Sequence, residues 1–252
     1  MALTLDRVRV DLGRRRVLDS VSVTFDPGKV TVILGANGAG KTTVLRAAAG
    51  LVRPTNGAVT IDGTDIRTMP LGARARAIGY LPQQGEVAWN MPARDVVALG
   101  RLPHRAGESA DTIAIAAALG ATDALGLADR PIGELSGGER ARILLARVLA
   151  GDPAWLLVDE PLASLDPAHQ LDLLDRLRAV AAQGKGVVVV LHDLIQAARV
   201  ADNAILVAAG TVVAAGSAAE VLTPERLGSL FGVRLISVPG HPICIPVERL
   251  SR

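Results

Sequence analysis

An α/β fold with a parallel central sheet is predicted by three observations on this 252-residue chain. Apolar runs alternate with helix signals: "VTVIL" precedes a helix from about Thr42, "WLLV" one after Asp166-Pro167, and "VVVVL" one from about Asp193. Runs that are apolar at every position suit strands covered on both faces, as parallel strands are. Finally, "LTLDRVRV", "VLDSVSVTF" and "GAVTIDG" alternate apolar and polar residues near the N-terminal end, which predicts a half-buried antiparallel sheet at the edge of the core.

The elements can be justified in order. The helix after Asp166 has an N-cap aspartate, proline at its first position, an apolar stripe at Leu173, Leu174, Leu177, Val180 and Ala181, and Gly184 just past its end. From about Gln83 to Glu134 the strand signal stops. There "PARDVVALGRL" and "ADTIAIAAALGAT", followed by "ARILLARVLA" at 141–150, read as helices joined by Pro and Gly loops, a helical subdomain inserted into the core. In the last of these, Ala141, Leu144, Leu145, Val148 and Leu149 form one apolar face. The stretch "AILVAAGTVVAAGSAAEVL", residues 204–222, is long enough to span a bilayer but weakly apolar, and reads instead as a hairpin turning at Gly210-Thr211.

Composition excludes several classes. Twenty-seven basic residues against 25 acidic ones leave a formal net charge of +2, which is no nucleic-acid footprint, and no nucleic-acid partner is expected. One cysteine, Cys244, excludes an internal disulfide and suits a reducing compartment. The N-terminus carries charges among its first apolar residues, so neither a signal peptide nor a membrane anchor is predicted there. Only three basic residues are lysines, so the lysine inside the glycine-rich "GANGAGKTT" stands against the chain's habit. A compact ammonium suits a site where a planar guanidinium would not fit.

That stretch, Gly35, Ala36, Asn37, Gly38, Ala39, Gly40, Lys41, Thr42 and Thr43, fits G-x-x-x-x-G-K-[ST] between a strand and a helix. Backbone N–H groups of such a loop converge on phosphates, Lys41 reaches the β and γ oxygens, Thr42 can bind Mg²⁺, and the helix N-terminus adds its partial positive charge. This defines the predicted fold class as α/β, a P-loop NTPase core with a parallel sheet, an antiparallel β edge subdomain and an inserted helical subdomain. In "WLLVDEP" a buried strand delivers Asp159 and Glu160 at its C-terminal end, where α/β ligands bind. Asp159 is expected to hold Mg²⁺ and Glu160 to orient or deprotonate an attacking water. "LSGGER", with Ser136, Gly137 and Gly138, opens a helix and is expected to be a second anion site. His241 and Cys244 are an H-x-x-C pair with too few neighbouring ligands for a structural zinc.

These motifs, in this order, resemble the ATP-binding subunits of ABC transporters, over nearly the whole chain to about residue 230. "GANGAGKT" is similar to the Walker A motif, Gln83 in "IGYLPQQ" to the Q-loop glutamine, "LSGGE" to the signature, "LLVDEP" to Walker B, "SLD" (164–166) to the D-loop, and His192 in "VVVVLHD" to the switch histidine. The resemblance implies a single ABC ATPase domain over 1–252. Its RecA-like core and β subdomain take 1–82 and 151–230, its helical subdomain about 83–150, and an extension about 231–252. It implies ATP and Mg²⁺ as ligands, Glu160 and His192 as catalytic residues, and Thr42, Gln83 and Asp159 at the metal. It also implies two copies sandwiching two ATP molecules, with Ser136, Gly137 and Gly138 of one closing over the γ-phosphate held by Lys41 of the other.

Transmembrane permease subunits would be partners, a substrate-binding protein an indirect one, and the location cytoplasmic, peripheral on the inner face of the cell membrane. "MPARDVVALGRLPHR" (91–105) is similar to the segment after the Q-loop in importers of iron-siderophores, haem and cobalamin, and the permease is expected to dock along Gln83–Arg105, on Trp89, Arg94, Arg101 and Arg105. Zinc or manganese importer ATPases and soluble ABC ATPases without a transport role are the alternatives. In one respect the chain departs from the family: Leu12 stands where an aromatic residue usually stacks on adenine.

Overall fold

The computed structural model describes residues 2–83, 89–104, 107–163, 165–238 and 243–250. At its centre, five parallel strands and one antiparallel strand form a sheet in the order β10-β9-β3-β8-β7-β6. The strands are β3 (Val30–Leu34), β6 (Ile78–Leu81), β7 (Trp155–Asp159), β8 (Gly186–Val190), β9 (Asn203–Ala208) and β10 (Thr211–Ser217). Every residue of β3, β7 and β8 is buried. Period-two alternation then divides each strand between two cores: Val187 and Val189 of β8 join the helices on one face, while Val188 and Val190 join the other face.

On that second face lies α1 (Lys41–Ala48), and over it a second sheet in the order β2-β1-β4-β5, made of β1 (Leu3–Leu12), β2 (Arg15–Phe25), β4 (Asn56–Ile61) and β5 (Thr64–Asp65). Leu3 and Leu5 of β1 share a core with Val44 and Leu45 of α1. The predicted antiparallel edge sheet is therefore present, and its role is to cover α1. Between β5 and β6 runs α2 (Leu71–Ala77), which has no buried residue and so left no apolar stripe to read in the sequence.

Between β6 and β7 lie α3 (Ala93–Ala98), continued by a 3₁₀ turn over Leu99–Arg101, then α4 (Glu108–Ala121) and α5 (Gly137–Ala150). The buried set of α5 is Ile143, Leu144, Leu145, Ala146, Val148 and Ala150, wider than the predicted face, with Ala141 and Leu149 only half-buried. The cause is that α5 packs on α3 and α4 on one side and on β6 on another. A single-face reading suits a surface helix and not one between two layers.

α6 (Pro167–Ala182) forms as expected, with Asp166 capping the His169 amide, the predicted five residues buried, and Gly184 at φ +87° beyond its end. α7 (Leu194–Val200) is capped by Asp193, whose carboxylate accepts from the amides of Ile195 and Gln196. The β9–β10 hairpin turns at Ala209-Gly210, one residue before the predicted Gly210-Thr211, because these two residues hold the positive φ angles of the turn, 46° and 79°. The chain closes with α8 (Ala218–Val221), α9 (Pro224–Phe231) and a hairpin of β11 (Val233–Ser237) and β12 (Cys244–Arg249). Cys244 is buried, its thiol 3.7 Å from the Leu222 carbonyl oxygen; His241 lies outside the described residues. No helix among the described residues is long and apolar enough to cross a membrane.

Candidate nucleotide site

The site gathers at the C-terminal ends of β3, β7 and β8, where a parallel sheet turns its strands outward into loops. The loop from Gly35 to Gly40 leaves β3 and enters α1. A Cβ at Gly35 would sit 2.3 Å from the Val207 carbonyl oxygen of β9, and Gly40 caps α1 at φ +106°, so both positions need glycine. No side chain caps α1 and its first turn holds no acid. Its leading amides and positive dipole end are thus offered to an outside anion.

Lys41, 5% exposed, donates to the carbonyl oxygens of Gly35 (2.9 Å) and Ala36 (3.2 Å), which fixes its ammonium against the loop. Burial pulls its pKa below the usual lysine value, while the nearby carboxylates of Glu160 and Asp159 act in the opposite direction.

Asp159, at the end of β7, is 2% exposed, and both carboxylate oxygens are engaged. Thr42 donates its hydroxyl to Oδ1 at 3.0 Å, and Tyr80, on β6, donates to Oδ2 at 3.0 Å. Arg46 of α1 donates in turn to the Tyr80 oxygen at 3.4 Å. Burial raises the Tyr80 pKa, which keeps the phenol a donor. A buried carboxylate beside a threonine hydroxyl is an oxygen set of the kind Mg²⁺ prefers, so these residues fit that ion.

Glu160 is held in the left-handed region at φ +47°, a conformation that costs a non-glycine residue and is concentrated at functional sites. Its two oxygens are also both held: Gln83 donates Nε2 to Oε2 at 2.7 Å, and Nε2 of His192 meets Oε1. Gln83, expected at the nucleotide and metal, is thus placed on Glu160.

Leu12, Asn37, Gly38, Gly40, Lys41, Thr42, Thr43, Glu160 and His192 line one cavity of about 530 Å³, together with Arg15 and Val17. Ala39 is buried behind the loop, its amide donating to the Ala36 carbonyl.

"LSGGER" stands elsewhere, at the start of α5. Ser136 and Glu139 form a capping box: the serine oxygen accepts from the Glu139 amide at 3.3 Å and Glu139 accepts from the Ser136 amide at 2.8 Å. A Cβ at Gly138 would lie 2.5 Å from the ring of His169, whose Nδ1 pairs with Asp166 at 2.8 Å. The His169 ring of α6 therefore lies over that glycine within one chain. None of Ser136, Gly137 and Gly138 lines the cavity over Lys41. Ser164 of the "SLD" stretch lies outside the described residues.

Arg101 does not stand free on the surface, as expected for a docking residue. Its side chain is 11% exposed, donating to Asp111 at 2.7 Å and to the Ala150 carbonyl at 2.8 Å, because it ties the start of α4 to the end of α5. Arg94 pairs with Asp129, Arg105 lies outside the described residues, and Trp89 is 73% exposed. Sequence reasoning missed Tyr80, Glu139 and His169. The S-x-x-E spacing of Ser136 and Glu139 is a capping-box signature that could have found the second.

A glycine loop uncapped at a helix start, a buried acid bonded to its threonine, and a following glutamate held from both sides define a nucleoside-triphosphate hydrolase of the P-loop class. Residues 18–163 match the ABC transporter family, and the chain belongs to it, as an ATP-binding ABC ATPase subunit. The hemin import ATP-binding protein HmuV of Myxococcus xanthus is 43% identical, covering 99% of this chain and 98% of its own. HmuV of Bordetella avium is 40% identical over 96% of both chains. The cobalamin import protein BtuD of Halobacterium salinarum is 40% identical over 93% of this chain and 60% of its own. Among solved structures, an inward-facing transporter assigned to the metal-chelate type superposes with a TM-score of 0.84 at 26% identity, covering 98% of this chain and 97% of that one. The dimeric bacterial cassette MJ0796 superposes with a TM-score of 0.77 at 27% identity, covering 85% and 98%.

Proposed function

We propose that this chain hydrolyses ATP to drive an importer of a metal chelate of the haem, cobalamin or iron-siderophore kind. The observation that carries the cargo class is identity of 40–43% along nearly the full chain to hemin importer subunits. Two copies would close on two ATP molecules, Lys41 and the amides from Gly35 to Thr43 of one holding the phosphates, and Ser136, Gly137 and Gly138 of the other facing the γ-phosphate. Thr42, Asp159 and Gln83 would hold Mg²⁺, which would supply charge neutralisation for the triphosphate. Glu160 would orient the attacking water and take its proton, its carboxylate aimed by Gln83 and His192. Because Gln83 begins the segment that leads to α3, a shift of that segment would move the hydrogen bond on Glu160, which links permease contact to hydrolysis.

Docking would use the exposed apolar residues Trp89 and Leu102 and not Arg101, and the subunit would work from the cytoplasmic face. The test is reconstitution with the permease: haem, cobalamin and a ferric siderophore are offered in turn, and ATPase stimulation and uptake are read. Stimulation by one of the three supports the reading, and stimulation by none, with zinc or manganese active instead, defeats it. Leu102→Asp is expected to abolish stimulation and leave basal hydrolysis in place.

A further inference from the structure

Among the described residues, the cavity over the phosphate loop is lined by no Phe, Tyr or Trp ring to receive a nucleotide base, its imidazole His192 is held on Glu160, and the chain has no such ring to spare. It contains five Phe, Tyr and Trp residues. Phe25 and Trp155 are buried against each other in the core, ring centroids 6.4 Å apart; Tyr80 is spent on Asp159; Phe231 packs at the C-terminal hairpin and Trp89 stands out on the helical segment. What the cavity has instead is the tip of the β1–β2 hairpin.

Leu12 and Arg15 face each other there as cross-strand partners, and Val17, two residues on, points to the same side. Arg16, on the opposite face, is paired with Asp11 and Asp19. The Arg15 side chain is exposed and has neither ion pair nor hydrogen bond among the described residues. The tip is also fixed relative to the phosphate loop: Gly210 donates its amide to the Ala39 carbonyl and accepts from the Asp19 amide, both at 2.9 Å, and a Cβ at Gly40 would lie 3.1 Å from the Val17 carbonyl oxygen.

We propose that Arg15 is the base-holding residue of this site, its guanidinium plane stacking on the purine of a nucleoside triphosphate while Leu12 and Val17 cover the ring's apolar surface. The inference rests on the ATPase reading above. A guanidinium is planar, weakly hydrated and stacks on π-faces, whereas an ammonium is a compact, strongly hydrated charge with no plane to stack. Stacking reads the face and not the edge of a base, so adenine and guanine are both accepted. Edge-on, Arg15 would instead select guanine through O6 and N7.

The test is equilibrium titration of the full chain with ATP, GTP and inorganic tripolyphosphate, each with Mg²⁺. Wild type is expected to bind ATP and GTP within about tenfold of each other. Arg15→Ala should weaken both by about tenfold and leave tripolyphosphate unchanged. Arg15→Lys should behave like alanine, and adding Leu12→Tyr to Arg15→Ala should restore the lost affinity through an aromatic face. An equal loss for tripolyphosphate, or full recovery with lysine, would show a charge acting on phosphate and overturn the proposal. So would nucleotide affinities that ignore Arg15, or a preference for GTP well beyond tenfold. A wild type that binds tripolyphosphate but neither nucleotide would overturn the ATPase reading itself.

Discussion

Two glycine-rich helix starts, at α1 and α5, look alike in sequence and are built for different tasks. α1 begins with Gly40 in the left-handed region and no side-chain cap, so its amides are left for an outside anion. α5 begins with Ser136, whose oxygen takes the Glu139 amide while Glu139 takes the Ser136 amide in a capping box, with Arg130 donating to Glu139 at 3.0 Å. The lesson is that two glycine turns before helices can differ in how far their own side chains close them. The first leaves its leading amides uncapped, whereas the second is partly closed by its own side chains.

The largest expected effect breaks the first helix start. Lys41→Ala removes the only ammonium in the loop and should weaken ATP by about thirtyfold or more, since losing one partner of a buried charged contact costs about 2–5 kcal/mol. Nucleotide titration checks it, and retained affinity would mean that the amides alone hold the phosphates. Glu160→Gln comes next and separates binding from chemistry: ATP is retained, turnover falls by about 10²–10⁴-fold, and ATP-bound dimers accumulate. Steady-state hydrolysis and size-exclusion chromatography read both, and hydrolysis at the wild-type rate would remove Glu160 from its role.

Tyr80→Phe sharpens the comparison at the α1 side by taking one hydrogen bond from the buried Asp159. A bond to a charged group contributes about 1.5–3 kcal/mol, so hydrolysis should depend on higher Mg²⁺, read as a shift of the Mg²⁺ activation curve. Ser136→Ala attacks the second helix start, removing a cap worth about 1 kcal/mol, visible as a lower urea midpoint, while leaving ATP binding to the single chain intact. Loss of ATP affinity in the isolated chain would contradict the separation of the two sites.

The smallest effect is on acid stability. Glu139 is held below its ordinary 4.5, first by the Ser136 amide, and Asp166 below its ordinary 3.8, first by the His169 amide. Carboxylates with depressed pKa values stabilise the fold above their unfolded values, and that contribution is lost as pH falls through the folded values. The urea midpoint should therefore hold steady down to about pH 4.5 and fall below it, with a shallower fall in Glu139→Gln.

Much of this molecule is legible in the order of its residues. The all-apolar runs of β3, β7 and β8, the capped α6 and the loop from Gly35 to Thr43 are each specified by neighbours a few positions apart, within reach of periodicity and turn chemistry. α2 and the β11–β12 hairpin escaped because one buries nothing and the other has mostly exposed residues. Arg101 read as a surface charge because local pattern cannot show that its guanidinium reaches back to Asp111 and Ala150.

The sequence by itself determined that a phosphate loop, an acid pair and a second glycine turn exist, since each is a local pattern with a local physical reason. Only the tertiary structure decided what they do to one another. Gln83 reaches Glu160 across 77 positions and Thr42 reaches Asp159 across 117, contacts fixed by the order and register of parallel strands. Arg15 and Val17 come to the phosphate loop through Gly210, nearly two hundred residues further along the chain, whose amide and carbonyl bridge the two segments. Strand order is set by which apolar faces bury together, and that balance is struck over the whole core, beyond the reach of any short window of sequence.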